Sequence, residues 1–479
     1  MRSRREQIRA YRFVTRRIVS ALLGGDPEVA DPPLRRAGLT TFASVMVGAL
    51  VLAGFGVYGL VRPGGNTSWR SGDVLIVEKE TGTRFVYRGG RLHPVLNYAS
   101  ARLVLKNAAP TTTTVSATSL AGVARGRPVG IAGAPDALPA ADSLHALPWS
   151  VCSANDTGDV TTGTPRVTVA VHRNFGGTDL GRLGVIVHAS GEKPALLWHG
   201  QRLRIPNRES LASLGWGTAP QVAVAPAFLN AIPAGPDLVA PTIPDLGRSG
   251  PTVGAGPAKI GTVYRLTSAA NSEQFFVLLD DGLAQVSQPV EELLLGKQGL
   301  PSPQQLSPAD YKNVPSSKRD LSVPGLPDHQ PVLATRDNGQ VAALCVSWRG
   351  RGGTTIQRYR SAPDALTGTE QAAAGGVDDT GALTADAVLV PGGGGALVAP
   401  AAARGVSTST TYVVTDQGIR YAVPDDEART ALGYGDVTPV SLPENLIDLV
   451  PAGPVLDQKK ASQYVSTTPT SPSPSPSRK

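Results

Sequence analysis

Residues 39–61 form an uncharged, almost wholly apolar run, with Arg35 and Arg36 just before it and Arg62 just after. A helix needs roughly 20 apolar residues to cross the hydrocarbon core of a bilayer. The run therefore divides the chain into a short N-terminal arm and a long C-terminal portion on opposite sides of a membrane. Gly48, Gly54, Gly56 and Gly59 interrupt it and no Pro does, a mix that membrane helices tolerate because no water competes for their backbone bonds. Nine arginines stand before it against Glu6, Asp26, Glu28 and Asp31. The positive-inside rule places that arm in the cytoplasm and everything from Pro63 onward outside it. A cleaved signal peptide is the competing reading, but its apolar region is shorter and follows a short basic start. The expectation is an uncleaved, single-pass anchor in the plasma (inner) membrane.

Charge follows the same division. Ten of the 45 basic residues and four of the 38 acidic ones lie before residue 63, so the remainder is nearly neutral. The basic pI is thus no sign of a nucleic-acid partner. It reports a cytoplasmic arm beside membrane lipid, where anionic headgroups attract each Arg by roughly 1 kcal/mol. Residues 1–20 read as a basic helix, with Ile8, Tyr11, Val14, Thr15 and Ile18 near one face. Arg4, Arg5, Arg9, Arg12, Arg16 and Arg17 are its candidate contacts to the membrane surface or a cytoplasmic partner, and a merely solvated flank is the bland alternative. Asp31-Pro32-Pro33 breaks any helix before the span begins.

The chain has 54 Gly, 41 Pro and few aromatics, which favours many short elements joined by tight turns. Its two cysteines have mirrored settings, Trp149-Ser150-Val151-Cys152 and Cys345-Val346-Ser347-Trp348. Outside the cytoplasm thiols oxidise readily. One disulfide closing a very long loop is expected, with two buried free thiols as the alternative.

An internal repeat organises the rest. Gly200 to Leu238 aligns without a gap on Gly418 to Leu456. Arg202 meets Arg420, Pro206 meets Pro424, Glu209 meets Glu427, Leu214-Gly215 meets Leu432-Gly433, and Pro233-Ala234-Gly235-Pro236 meets Pro451-Ala452-Gly453-Pro454. Within one copy, a strand over 196–198, a turn at His199-Gly200 and a strand over 202–205 form a hairpin. A short helix from Pro206-Asn207 then ends at Leu214, with Gly215 as left-handed cap. A strand over 222–224 and a helical turn over 228–231 complete the unit. Gly200, Leu214, Gly215, Gly235, Gly418, Leu432, Gly433 and Gly453 are its candidate structural residues.

Two weaker copies follow the same order. One runs from Phe275 through Asp280-Asp281-Gly282 to Pro289 and a helix ending at Leu295-Gly296. The other has strands at 74–77 and 84–87, the turn Gly89-Gly90, a helix from Asn97 to about Leu105 with Asn107 as cap, and a Thr-rich loop at 111–114. The expected fold is a single transmembrane helix plus an α+β ectodomain of four small ββαβα-like repeats around a central β core, with pseudo-two-fold symmetry. The expected boundaries are arm 1–38, span 39–61, repeats 62–130, 191–245, 260–322 and 406–460, core segments 131–190 and 323–405, and a flexible Ser/Pro tail 461–479. The core holds the strand-like runs 167–171, 185–188 and 341–346, and Gly392 to Gly395 reads as a flexible loop. The tail has too little apolar surface to order itself.

Catalytic signals are weak throughout. There is no G-x-x-x-x-G-K-[S/T] phosphate loop and no G-x-S-x-G elbow. Ser190-Gly191-Glu192-Lys193 matches S-x-x-K, but the K-T-G that accompanies it in penicillin-binding enzymes is missing. The six His residues, 93, 145, 172, 188, 199 and 329, have no paired-ligand spacing, and two cysteines without a neighbouring His make a poor metal site. Asp280-Asp281 and Asp425-Asp426 fit turn and helix-start roles. No catalytic, cofactor-binding or metal residue is nominated, and no cofactor is identifiable from the residues.

The basic arm, the single span, the stretch WRSGDVLIVEKETGTRFVY at 69–87, residues 92–105, the run Gly130-Ile131-Ala132-Gly133-Ala134-Pro135, the two cysteines and the repeated Pro-Ala-Gly-Pro together resemble EccB. EccB is the membrane-anchored component of type VII (ESX) secretion systems, and the resemblance runs to about residue 460. It implies a structural subunit of an inner-membrane complex with EccC, EccD and EccE as partners, self-associating into dimers and higher rings. It also implies small helical proteins, exported in pairs, as substrates. Family members are described as ATPases, so ATP enters as a cofactor by resemblance only. A nucleotide hydrolase and a membrane-anchored cell-wall-binding module are the two alternatives.

Overall fold

The computed structural model describes residues 4–24, 33–61, 67–71, 73–155, 164–268, 272–334, 341–350, 353–367, 376–377, 383–401 and 410–465. Two helices, Arg4–Gly24 and Pro33–Val61, begin the chain. The second contains the segment Gly38–Tyr58, long and apolar enough to cross a membrane, and it is not buried by the other described residues. Pro33 is tolerated at its first position because a first-turn N–H has no intrahelical partner.

Beyond residue 67 lie four small four-stranded sheets with one topology. In the first, the strands are Val74–Glu78, Arg84–Arg88, Arg91–Pro94 and Thr111–Val115. The second holds Val185–His188, Ala195–Trp198, Gln201–Arg204 and Val222–Ala223. The third holds Val263–Thr267, Glu273–Leu279, Gly282–Val286 and Gln304–Leu306, and the fourth Gly395–Pro400, Thr411–Thr415, Arg420–Val423 and Val440–Leu442. In each, the first three strands form an antiparallel meander and the last pairs parallel with the first. A parallel neighbour needs a crossover connection, supplied by the helices Tyr98–Leu105, Arg208–Ser213, Gln288–Gln298 and Asp426–Ala431 respectively. A second short helix follows each fourth strand: Ala117–Leu120, Pro226–Ala231, Pro308–Asn313 and Glu444–Asp448.

The chain then returns beside the third strand at one equivalent point in every unit. Leu92, Arg202, Leu283 and Arg420 each donate their N–H to, and accept through their C=O from, the returning backbone. In the second and fourth units the bridged pairs are Arg202 with Ala234 and Arg420 with Ala452, which are aligned positions of the ungapped match.

A six-stranded sheet lies between these units, and its two central strands, Trp149–Asn155 and Ala343–Trp348, run antiparallel. One face buries Trp149, Val151, Leu344, Val346 and Trp348 against the helices Pro226–Ala231 and Glu444–Asp448, which occupy equivalent places in the second and fourth units. The first and fourth units share a core that includes Leu103, Leu432 and Tyr434. The second and third meet where Leu293 enters the core of the second unit.

Several expectations need correction. Each unit carries one more strand than the ββαβα pattern, in the order βββαβα. Val185–His188, expected in the central core, is the first strand of the second unit, and Gly395–Pro400, expected in core segment 323–405, is the first strand of the fourth. In the first unit the missed strand is Arg91–Pro94; in the second the tight turn at His199-Gly200 marks the second and third strands, whereas the longer connection 189–194 hides the antiparallel pairing of the first strand with the second. Thr111–Val115 is a strand rather than a loop: β-branched Thr suits extended backbone, and this edge strand is mostly exposed, so apolar alternation is absent.

The helix expected to end at Leu295-Gly296 continues to Gln298, with Gly299 as its left-handed cap. Lys106 rather than Asn107 caps Tyr98–Leu105, at φ 52°. Gly392 to Gly394 form a turn tied by the Gly393 N–H to Asp416, and Gly395 already belongs to a strand. A hairpin, Ser249–Val253 with Gly256–Lys259, was not anticipated between the second and third units. Residues 461–465, assigned to the tail, are ordered: Val465 donates to the Pro128 carbonyl and Ala461 is buried. The remaining tail lies outside the described residues.

Candidate functional site

The centre of the molecule grows from the mirrored cysteine segments. An antiparallel pair places a palindromic sequence opposite itself, and the register here does so: Trp149 faces Trp348, Ser150 faces Ser347, Val151 faces Val346, and Cys152 faces Cys345. Cross-strand neighbours are the units of sheet stabilisation. The serine hydroxyls hydrogen-bond at 2.7 Å, and the cysteines, Cα atoms 4.0 Å apart, are joined as a disulfide across a sequence separation of 193 residues. For a loop of that length the chain-entropy model gives roughly 5 kcal/mol. Both sulfurs are buried under Tyr359 and Leu366, on the face opposite the large core. The enclosed bond links the two central strands of the sheet.

The repeat residues occupy matching environments. Asn207 and Asp425 cap their helices through the N–H groups of Ser210 and Ala428, satisfying donors that a helix start leaves open. Leu214 and Leu432 are 1% and 0% exposed. Gly215 and Gly433 follow at φ 65° and 89°, where a Cβ costs roughly 1 kcal/mol or more. Gly200 and Gly418 turn their hairpins at φ 77° and 71°. Gly235 and Gly453 serve differently: a Cβ there would come within 2.8 Å of the Gln201 side chain and 2.4 Å of the Tyr421 ring. Arg202 reaches Asn230 and Arg420 reaches Asp448, again aligned positions.

The six arm arginines, Arg4, Arg5, Arg9, Arg12, Arg16 and Arg17, sit on the exposed first helix. Ile8, Tyr11, Val14 and Ile18 are exposed on it as well, at 49%, 76%, 52% and 54%. The arm thus presents both charge and apolar surface.

No catalytic set assembles among the described residues. Ser190, Glu192 and Lys193 of the S-x-x-K match lie in an exposed turn between the first two strands of the second unit. His145 stacks on His172 and His93 on Tyr464, while His199 stacks on Trp198. No cluster suited to a metal occurs among the described residues. The paired carboxylates have structural partners: Asp281 accepts from Ser317 and the Lys318 N–H, which lowers its pKa. Sequence reasoning missed one site. Glu291, on the helix Gln288–Gln298, is 4% exposed, and burial followed by the neighbouring Glu292 raises its pKa to about 7. The segment Gln288-Pro289-Val290-Glu291-Glu292 reads as an ordinary helix start, and nothing local announces that Glu291 faces inward.

The family described as "Type VII secretion system ESX-1, transport TM domain B", EccB, matches residues 2–470. The "ESX-3 secretion system ATPase EccB3" of Mycolicibacterium smegmatis is 31% identical, over 98% of this chain and 92% of that relative. The "ESX-1 secretion system ATPase EccB1" of Mycobacterium tuberculosis is 28% identical, over 98% and 96%. Among solved structures, a chain of the intact ESX-5 inner membrane complex superposes with a TM-score of 0.64 at 28% identity, covering 99% of this chain and 98% of that one. The EccB3 dimer from the ESX-3 core complex gives 0.66 at 25% identity, covering 81% and all of the other chain. A match of this length in both sequence and fold identifies the chain as a member of the EccB family, the membrane component of type VII (ESX) secretion systems.

Proposed function

We propose that this chain is a structural subunit of an inner-membrane ESX secretion complex, anchored by one helix with its N-terminus in the cytoplasm. The observation that carries this is its end-to-end likeness to a chain of the intact ESX-5 inner membrane complex. The extracytoplasmic portion supplies the oligomerising surface, as a dimer and in a higher ring, a reading supported by the dimeric EccB3 structure. EccC-, EccD- and EccE-type components are its partners. Arg4, Arg5, Arg9, Arg12, Arg16 and Arg17 hold the arm to a cytoplasmic partner or to anionic lipid, where basic charge and an apolar face act together.

In this reading the four βββαβα units are copies of one element, paired first with fourth and second with third. The pseudo-two-fold passes between Cys152 and Cys345, and the disulfide locks the halves together. The unit boundaries shift accordingly, so that the second unit begins near 185 and the fourth near 395. The names of the relatives favour a second reading, ATP hydrolysis, for which the sequence offers no phosphate-binding loop.

Affinity purification of the tagged full-length chain from detergent-solubilised membranes distinguishes the two. EccC-, EccD- and EccE-type proteins should be recovered with it. Recovery of the chain alone, together with saturable ATP turnover abolished by one substitution, would replace the structural reading with the enzymatic one.

A further inference from the structure

Where the second unit meets the third, a cleft of about 510 Å³ opens between the end of the helix Arg208–Ser213 and the length of Gln288–Gln298. The two helices approach closely here: a Cβ on Gly296 would lie 1.7 Å from the Ser213 hydroxyl. Gln330 bridges to the Leu214 carbonyl at the same junction. Glu291 and Glu292 line this cleft from the helix, and Arg265 and Glu273 from the sheet of the third unit.

The charges do not balance. Arg265 pairs with Glu273 at 3.3 Å. Glu292 accepts one bond from Gln288 at 2.9 Å, and its second oxygen is buried without a partner. Glu291 is 4% exposed as a residue; Arg265, the cation that acts on it, is engaged by Glu273 and keeps its Nε buried without a partner among the described residues. From the second unit the cleft is walled by the neutral segment 212–215. Ionising a buried carboxyl without a partner costs desolvation energy, which is why Glu291 keeps its proton up to about pH 7, and a cation that enters the cleft removes that cost. The carboxylates do not form a metal-ligand set among the described residues. Phe275, Leu295, Leu300, Pro301 and Pro303 give the lining an apolar part, beside the neutral polar side chains of Ser213, Gln288, Ser302 and Gln330. An aliphatic stem lies well against such a wall while a cationic head reaches polar groups beyond it.

We propose that the cleft between the second and third units is a binding site for one guanidinium or ammonium group carried on an aliphatic stem, with Glu291 and Glu292 receiving the head. A free polyamine-like molecule and an Arg or Lys side chain of a neighbouring protein share this chemistry. Carboxylates paired with a guanidinium make the shorter, stronger class of hydrogen bond, and neutralising a desolvated carboxylate relieves its cost.

The test uses full-length chain in detergent at pH 8, titrated with agmatine, with the blocked tripeptide acetyl-Gly-Arg-Gly-amide, and with the same tripeptide carrying neutral citrulline in place of Arg. Saturable binding of agmatine, of the Arg tripeptide or of both is expected, weakened at least tenfold in Glu291→Gln. The exposed Glu427→Gln, in the fourth unit, should leave it unchanged. Preference for the tripeptide assigns the occupant to a protein side chain, and preference for agmatine to a free amine. Glu291→Gln removes an unpaired charge without changing shape, so the variant should fold, and its melting curve checks this. Absence of saturable binding by both cationic probes, equal affinity in Glu291→Gln, or equal binding of the citrulline tripeptide would overturn the proposal.

Discussion

At the scale of single residues, the aligned positions make the firmest demands. Leu214 and Leu432 each close a short helix and are wholly enclosed. Truncating a buried Leu to Ala removes apolar contact and leaves a cavity, typically 2–5 kcal/mol. Leu214→Ala and Leu432→Ala should each lower stability within that range and by similar amounts, as read by denaturant unfolding of the separate variants. Glu291 gives a second expectation. Its carboxyl is raised to about 7 from an ordinary 4.5, so the folded state holds the proton more tightly than the unfolded one. That group contributes no penalty below about 4.5, a growing one as pH rises toward 7, and a constant one above. Melting temperatures of wild type and Glu291→Gln measured across this window should therefore diverge progressively in favour of the variant. Parallel curves would show that Glu291 is not desolvated.

At the scale of elements, the sequence was informative where a signal is local. The turns at Gly200 and Gly418, the caps at Asn207 and Asp425 and the Gly after each Leu all depend on neighbours within a few residues, and their positions could be read directly. Strands joined to their partners by longer connections could not. Val185–His188 looks like any buried strand, and its pairings with Ala195–Trp198 and Val222–Ala223 assign it to the second unit. Thr111–Val115 was hidden by its own exposure, and the inward Glu291 by the absence of any local cue. The mirrored cysteine segments are an intermediate case. The palindrome suggested a bond, whereas the register that sets like against like became visible only in the sheet. Replacing Cys152 or Cys345 with Ser should lower the melting temperature of the protein while the four sheets persist, because the disulfide closes the long loop and does not build the units. Unreduced peptide mapping should recover the two cysteines joined in wild type, and two alkylatable thiols in native protein would refute the bond.

At the scale of the whole molecule, the distribution of surface explains what the chain is suited to do. An apolar helix uncovered among the described residues, an arm with exposed arginines and apolar side chains, and an extracytoplasmic body of small linked units offer three kinds of contact surface. Family membership was legible from the order of weak features along the chain, although none is diagnostic alone. The pairing of the units was not legible, because Leu103, Leu432 and Leu293 meet their partners across separate parts of the chain.

The central claim is that this is a subunit that functions by assembling, and the mass of the particle containing it is its most direct measure. Native mass spectrometry of the tagged full-length chain, extracted gently from its own membranes, should yield a particle with at least two copies of the 49.5 kDa chain together with other membrane proteins. A monodisperse single copy, unaccompanied under extraction that keeps other membrane complexes intact, would contradict the account.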